Sequence, residues 1–217
     1  MLTQAQLEPF HSNGFVVVGN VFSTSEIKEL RSLVDETIAI GIRAVKSLSV
    51  QDKMDRSEIA APPRGIFRGL LQDIAHRHKL FWSLSRSDKI VDLVVPILGS
   101  KISFYRSICV FKPLRDKNAV IGWHQDIAYW KGGTEKVSVA VALDDCTREN
   151  GCLHVIPGSH VGPILKHSAK DDFDSFVLEE EQLDHLPDPQ PVQMSAGDAL
   201  VFHAKLVHGS IGNLGDK

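Results

Sequence analysis

Gly122-Trp123-His124-Gln125-Asp126, taken with the distant His208-Gly209-Ser210, is the stretch on which the reading of this chain turns. On an extended segment side chains alternate, so His124 and Asp126, two residues apart, point to one face. A second imidazole arriving from another strand, His208, completes a set of two histidines and one carboxylate. That is the ligand set of non-heme Fe(II) oxygenases, which leaves metal positions open for a cosubstrate and dioxygen. Asp126 is followed by the apolar and aromatic run Ile127-Ala128-Tyr129-Trp130. A carboxylate beside such neighbours is costly to bury unless a cation compensates it.

Outward from this stretch the chain divides into helices first and strands second. Thr3-x-x-Gln6 is a capping-box pattern opening a short helix, and Gly14-Phe15-Val16-Val17-Val18 reads as a strand. Ser23-x-x-Glu26 caps a longer helix whose apolar positions Ile27, Leu30, Val34, Ile38 and Ile42 recur every three to four residues. Residues 44–69 lose that period and contain Pro62-Pro63-Arg64-Gly65, which predicts a loop. Helices are expected over about 73–84 and 87–98, the second with Ser87 as N-cap and Pro96 as a kink or stop.

From Lys101 the period changes to two. Residues 102–111 alternate as a strand, and further strands are expected near 121–126, 137–143, 152–156, 191–194, 198–202 and 205–210. Asn150-Gly151 predicts a hairpin, since both residues tolerate positive φ. Residues 166–191 carry eight acidic residues against Lys166 and Lys170, so a solvated loop is expected, with a substrate lid as the alternative. The order predicts a mainly β protein with flanking α-helices, a sandwich or barrel with helices packed outside.

Composition narrows the function. With 217 residues, 43% of them hydrophobic, the chain can bury one full core, so one domain over 1–217 is expected. The net charge is −3 and the basic residues are dispersed, which argues against nucleic acid and against a polybasic membrane contact. No apolar run reaches the roughly 20 residues that span a bilayer, and the first residues lack a signal peptide's basic and apolar regions. Three cysteines, Cys109, Cys146 and Cys152, form no framework. A cytoplasmic protein in a reducing compartment is expected. Cys146-x5-Cys152-x-His154 has the wrong spacing for a structural zinc site.

Several of these motifs together resemble the phytanoyl-CoA dioxygenase family. The matching residues are the opening helix from Leu2-Thr3 to Phe10 with Gly14-Phe15-Val16-Val17, then Phe111-Lys112-Pro113 and Trp123-His124-Gln125-Asp126. They continue in Glu149-Asn150-Gly151-Cys152-Leu153, Ile156-Pro157-Gly158-Ser159-His160, Gly197-Asp198 and His208-Gly209-Ser210. The resemblance implies a double-stranded β-helix (jelly roll, cupin-like) and a dioxygenase using Fe(II), 2-oxoglutarate and O2. It implies His124, Asp126 and His208 as iron ligands, with Gln125 and Ser210 at positions that contact 2-oxoglutarate in some members. Related halogenases replace the carboxylate by Gly or Ala, so Asp126 implies hydroxylation.

The family's Arg for the far carboxylate of 2-oxoglutarate would fall beyond Lys217, nine residues past His208. A chain cut short of its closing strands is the expectation, and otherwise Arg106 or Lys217 would have to anchor that carboxylate. Arg64, Arg68, Lys131, Trp123 and Trp130 are candidates to meet a small-molecule substrate: an acyl-CoA, an amino acid or a natural product. His203 is expected to be structural, His160 to steady a turn, and His76, His78, His167 and His185 to be exposed. Two other readings stay open: a non-catalytic metal-binding protein of this fold, and a cupin-type metal enzyme without 2-oxoglutarate.

Overall fold

The computed structural model describes residues 1–46, 70–130, 135–169 and 176–215. Both N-terminal caps form as their spacing predicts. In α1 (Gln4–Asn13) the Thr3 N–H donates to Gln6 Oε1 at 3.0 Å. In α2 (Thr24–Lys46) the Ser23 N–H donates to Glu26 Oε2 at 2.8 Å. These bonds satisfy backbone donors that the first helical turn leaves free. The expected loop over 44–69, with Arg64 and Arg68, lies outside the described residues apart from the last turn of α2.

Two sheets make the framework. One has the order β1-β10-β5, from Phe15–Val18, Ala199–His203 and Val137–Val141. The other has the order β4-β11-β6-β9, from Ile121–His124, His208–Ser210, Leu153–Val155 and Gln190–Pro191. Paired strands in both are antiparallel. The run Ala199-Leu200-Val201-Phe202 explains why β10 is central, because every one of its first four side chains is buried. Ala199 and Val201 pack with Phe10 of α1 and with Leu93, while Leu200 and Phe202 turn to the opposite face and pack with Val155, Val192 and Leu206. The helices therefore cover one face of the first sheet, and the other face meets the second sheet. Burying each such aliphatic side chain is worth about 1.5–3 kcal/mol.

Several expected elements differ. The segment near 73–84 splits into a 3-10 turn (Ile74–His76) and α3 (Lys79–Leu84). The helix α4 (Asp88–Leu98) runs through Pro96 and ends at Gly99, which has φ +79. A proline removes one hydrogen bond, but a helix about to end loses little by it. Of residues 102–111 only β3 (Ile108–Val110) is a strand, paired with β2 (Leu70–Gln72) outside the two main sheets. Asn150-Gly151 makes a turn with Gly151 at φ +84, yet no hairpin, because it links β5 to β6 and these belong to different sheets. Asn150 Oδ1 accepts from the Thr147 N–H at 2.8 Å, so the asparagine closes a wider loop. The described residues of the acidic region hold regular structure where a loop is expected. It contains β7 (His167–Ala169) paired with β8 (Phe176–Leu178), then α5 (Glu180–Leu183).

Candidate metal centre

His208 opens β11 and is the cross-strand partner of His124, the last residue of β4. Their ring centroids lie 4.2 Å apart. The pairing slips by one residue between His208 and Ser210, which stands opposite Ile121. Bulges of this kind often re-aim side chains beside active sites. Gly209 lets the strands approach closely there: a Cβ would lie 3.0 Å from the Ile121 carbonyl and 3.3 Å from the Trp123 ring, tighter than an ordinary contact.

Asp126 does not lie on the strand. It begins a 3-10 turn, Asp126–Ala128, whose Ile127 N–H donates to the Ala204 carbonyl at 2.9 Å. The expected alternation survives one step past β4, because Gln125 keeps an extended backbone (φ −118, ψ 124). Asp126 Oδ1 thus comes within 3.6 Å of His124 Nε2 and 3.8 Å of His208 Nε2. From the facing sheet, Ser138 on β5 donates its hydroxyl to Asp126 Oδ2 at 2.8 Å. Its cross-strand neighbour Phe202 packs its ring 4.9 Å from that of His208.

The imidazole tautomers follow from the hydrogen bonds. His124 Nδ1 lies 2.8 Å from the Gly122 carbonyl, and His208 Nδ1 lies 2.9 Å from the Leu206 carbonyl. A carbonyl only accepts, so each Nδ1 carries a proton and Nε2 is the nitrogen turned toward the centre. The two Nε2 atoms and a carboxylate oxygen then face one another. Burial pushes the Asp126 carboxyl up, but His208, His124 and the Ser138 hydroxyl outweigh it and hold the group below the usual carboxylate range. Burial, with the neighbouring His124, pushes His208 down to about 4. Two imidazoles with Nε2 turned inward and one carboxylate make a donor set that a divalent cation completes. One ligand atom from each residue lies within 4.8 Å of the others, so the residues present fit a metal ion.

The other predicted site residues fall in different places. Gln125 is 0% exposed and its amide faces away from the triad. Its Nε2 donates to the carbonyls of Lys205 at 2.7 Å and Pro163 at 3.3 Å, and its Oε1 accepts from the Leu165 N–H at 2.8 Å. Those bonds tie the side chain to the scaffold. Ser210, two residues beyond His208 and on the same face of β11, is buried. Its hydroxyl has no hydrogen-bond partner among the described residues. Arg106 precedes β3 and donates from Nη2 to Gln72 Oε1 at 3.2 Å, while its buried Nε has no partner among the described residues. Lys131 and Lys217 lie outside the described residues. Trp130 stacks obliquely on Tyr105 with ring centroids 5.4 Å apart. Trp123 packs against Ile156, Leu178 and Val207 and lines a cavity of about 260 Å³ with Pro187 and Pro189.

His167 is a correction. Far from being simply exposed, it is half-buried beside the centre and accepts from the Gln125 N–H through Nε2 at 3.0 Å. Nothing local marks it, since the neighbouring sequence is polar and the contact crosses 42 positions. His203 ends β10, where Nδ1 accepts from the Lys205 N–H at 3.0 Å and Nε2 lies 3.4 Å from Glu135. His160 Nε2 donates to the His11 carbonyl at 3.2 Å, tying its turn to α1.

Residues 10–217 match the phytanoyl-CoA dioxygenase (PhyH) family. The chain belongs to the phytanoyl-CoA dioxygenase family. An ectoine dioxygenase of Nocardia farcinica is 26% identical over 231 residues, covering 96% of this chain and 72% of the relative. An L-proline trans-4-hydroxylase of Streptomyces griseoviridis is 30% identical over 151 residues, covering 60% of this chain and 56% of that enzyme. Among solved structures, EctD from S. alaskensis with 2-oxoglutarate and 5-hydroxyectoine has a TM-score of 0.74 at 23% identity, covering 98% of this chain and 71% of that one. EvdO2 from Micromonospora carbonacea var. aurantiaca with 2-oxoglutarate has a TM-score of 0.70 at 23% identity, covering 100% and 87%. The shared fold is the cupin-like double-stranded β-helix with helices outside. As a phytanoyl-CoA dioxygenase-family member the protein is an Fe(II)- and 2-oxoglutarate-dependent oxygenase that consumes O2. Among its described residues no helix is long and apolar enough to cross a membrane.

Proposed function

We propose that His124, Asp126 and His208 hold Fe(II) and that this enzyme hydroxylates an unactivated C–H bond of a small organic substrate. The observation that carries the proposal is the convergence of the His124 and His208 Nε2 atoms on the Asp126 carboxylate, with each Nδ1 held outward by a backbone carbonyl. Iron, 2-oxoglutarate and O2 together supply the oxidising power. The protein supplies binding, orientation and a pocket from which water is excluded. Asp126 occupies a coordination position that would otherwise be free for a halide, which favours hydroxyl transfer over halogenation.

Ser210 and Arg106 are proposed to meet the carboxylates of 2-oxoglutarate. Each has a buried polar atom without a partner among the described residues, and an unpaired buried donor costs about 1–3 kcal/mol. An anionic ligand relieves that cost. Relatives named for ectoine and L-proline support a small polar substrate, and others named for phytanoyl-CoA support an acyl thioester. The enzyme is proposed to fold as one domain and to work in the cytoplasm, a setting that three free thiols suit.

An anaerobic titration of metal-free protein with Fe(II) and 2-oxoglutarate tests the proposal. The expected result is the visible charge-transfer band of the chelate, lost in His208→Ala and shifted to higher 2-oxoglutarate concentration in Ser210→Ala and Arg106→Ala. Iron binding without any band would instead favour a metal-binding protein of the same fold.

A further inference from the structure

The residue between two ligands has its own support. Gln125 lies beyond the end of β4, so its N–H has left the strand ladder, and the His167 imidazole accepts it where a carbonyl would in a longer strand. His167 Nδ1 lies 2.9 Å from the Leu165 carbonyl and so carries the proton, which leaves Nε2 as the acceptor. Both ring nitrogens are thereby committed, and His167 has no lone pair to offer a metal. Between the two imidazoles stands Tyr129, edge-on to His124 at 5.6 Å and to His167 at 6.0 Å. The same stretch is clamped a second time by the Gln125 side chain, which holds Pro163 and Leu165. Beyond it, the hairpin of β7 and β8 packs alongside β4.

We propose that His167 is a positioning residue for the metal centre, holding Gln125 extended so that His124 and Asp126 face the same point. The inference rests on the reading of those two residues as ligands. The lever is geometric. The peptide between His124 and Gln125 has one planar orientation in which its N–H meets Nε2. Turning that peptide swings the Cα–Cβ directions of both neighbours, and a metal site tolerates only a few tenths of an ångström at its ligands. His167 touches neither substrate nor cosubstrate in this role and acts through the backbone alone.

Binding of Mn(II), a redox-inert stand-in for Fe(II), to the metal-free full chain tests the inference by calorimetry. His167→Phe keeps the ring and removes the acceptor, whereas His167→Gln places Oε1 where Nε2 stood and can still accept. Expected are a roughly 10- to 100-fold loss of affinity in H167F and recovery of most of it in H167Q. Both metal-free variants should still unfold cooperatively in urea, H167F at the lower midpoint because its Gln125 N–H is left without an acceptor. Wild-type affinity in H167F overturns the inference, and so does an H167Q that binds no better than H167F. If H167F does not fold, H167M, slimmer and equally without a strong acceptor, is compared with H167Q in the same way. A wild-type chain that binds no Mn(II) at all would overturn the metal reading itself, which separates the two failures.

Discussion

His124 and His208 stand directly opposite each other on neighbouring antiparallel strands, their rings 4.2 Å apart and each Nδ1 held by a backbone carbonyl two residues earlier. The pair is therefore oriented before any metal arrives. Removing either imidazole takes away one ligand and leaves one carbonyl unpaired. His208→Ala is expected to lower Fe(II) affinity by two orders of magnitude or more, while the metal-free protein still unfolds cooperatively in urea. Metal content equal to wild type after purification in excess Fe(II) would contradict the assignment.

Ser138 reaches Asp126 from the opposite sheet, and its hydroxyl is one of the groups that keep the carboxylate ionised. Outer partners of this kind typically carry about 10- to 100-fold in metal affinity. Ser138→Ala is expected to weaken Mn(II) binding by about that factor and to shift the pH at which binding is half lost upward. The shift follows because loss of the bond raises the Asp126 pKa. Titration calorimetry at several pH values measures both effects, and an unchanged pH profile would refute the role.

Burial holds the imidazoles of His160, His167, His203 and His208 below their ordinary value, the last at about 4. The unfolded chain takes up these protons near pH 6.5, whereas the native chain does so only at lower pH. Stability of the metal-free protein is thus fully present above about pH 6.5 and declines as the pH falls from there towards 4. His208 alone contributes a loss on the order of 1–3 kcal/mol across that window. Asp126 and Glu26, held low in the folded state, add their losses only below about pH 5, so the first decline belongs to the histidines. Urea midpoints at about pH 7.5, 6 and 5 in the presence of a chelator check this; a flat midpoint would rule it out.

Gln125 joins three backbone groups from two separate loops. Gln125→Leu retains the volume but strands the Leu165 N–H and the Lys205 carbonyl in a buried place. Each stranded group costs about 1–3 kcal/mol, so a loss of about 2–6 kcal/mol in unfolding free energy is expected. Chemical denaturation of the metal-free variant gives the number. A change below about 1 kcal/mol would show that the loops find other partners.

Local signals in the chain were strong wherever one residue's neighbours in sequence were also its neighbours in space. The boxes Thr3/Gln6 and Ser23/Glu26, the buried stripe Ile27-Leu30-Val34 and the unbroken apolar run of β10 are of that kind. Asn150-Gly151 was legible as a turn but not as a link between sheets, because positive φ at Gly151 says nothing about which strands pair afterwards. The alternation in 102–111 outran the strand that formed, since a strand ends where its partner does and β2 is only three residues long.

The sequence alone determined the helices-then-strands order, the membership in an oxygenase family and the candidacy of His124, Asp126 and His208, because each rests on residue type and short spacing. Only the tertiary structure decided that β4 and β11 would be neighbours, that Ser138 would cross from the facing sheet to hold Asp126, and that His167 would accept the Gln125 N–H. Those contacts join residues between 12 and 84 positions apart. They depend on how two sheets pack, and no pattern of period two or 3.6 carries that information.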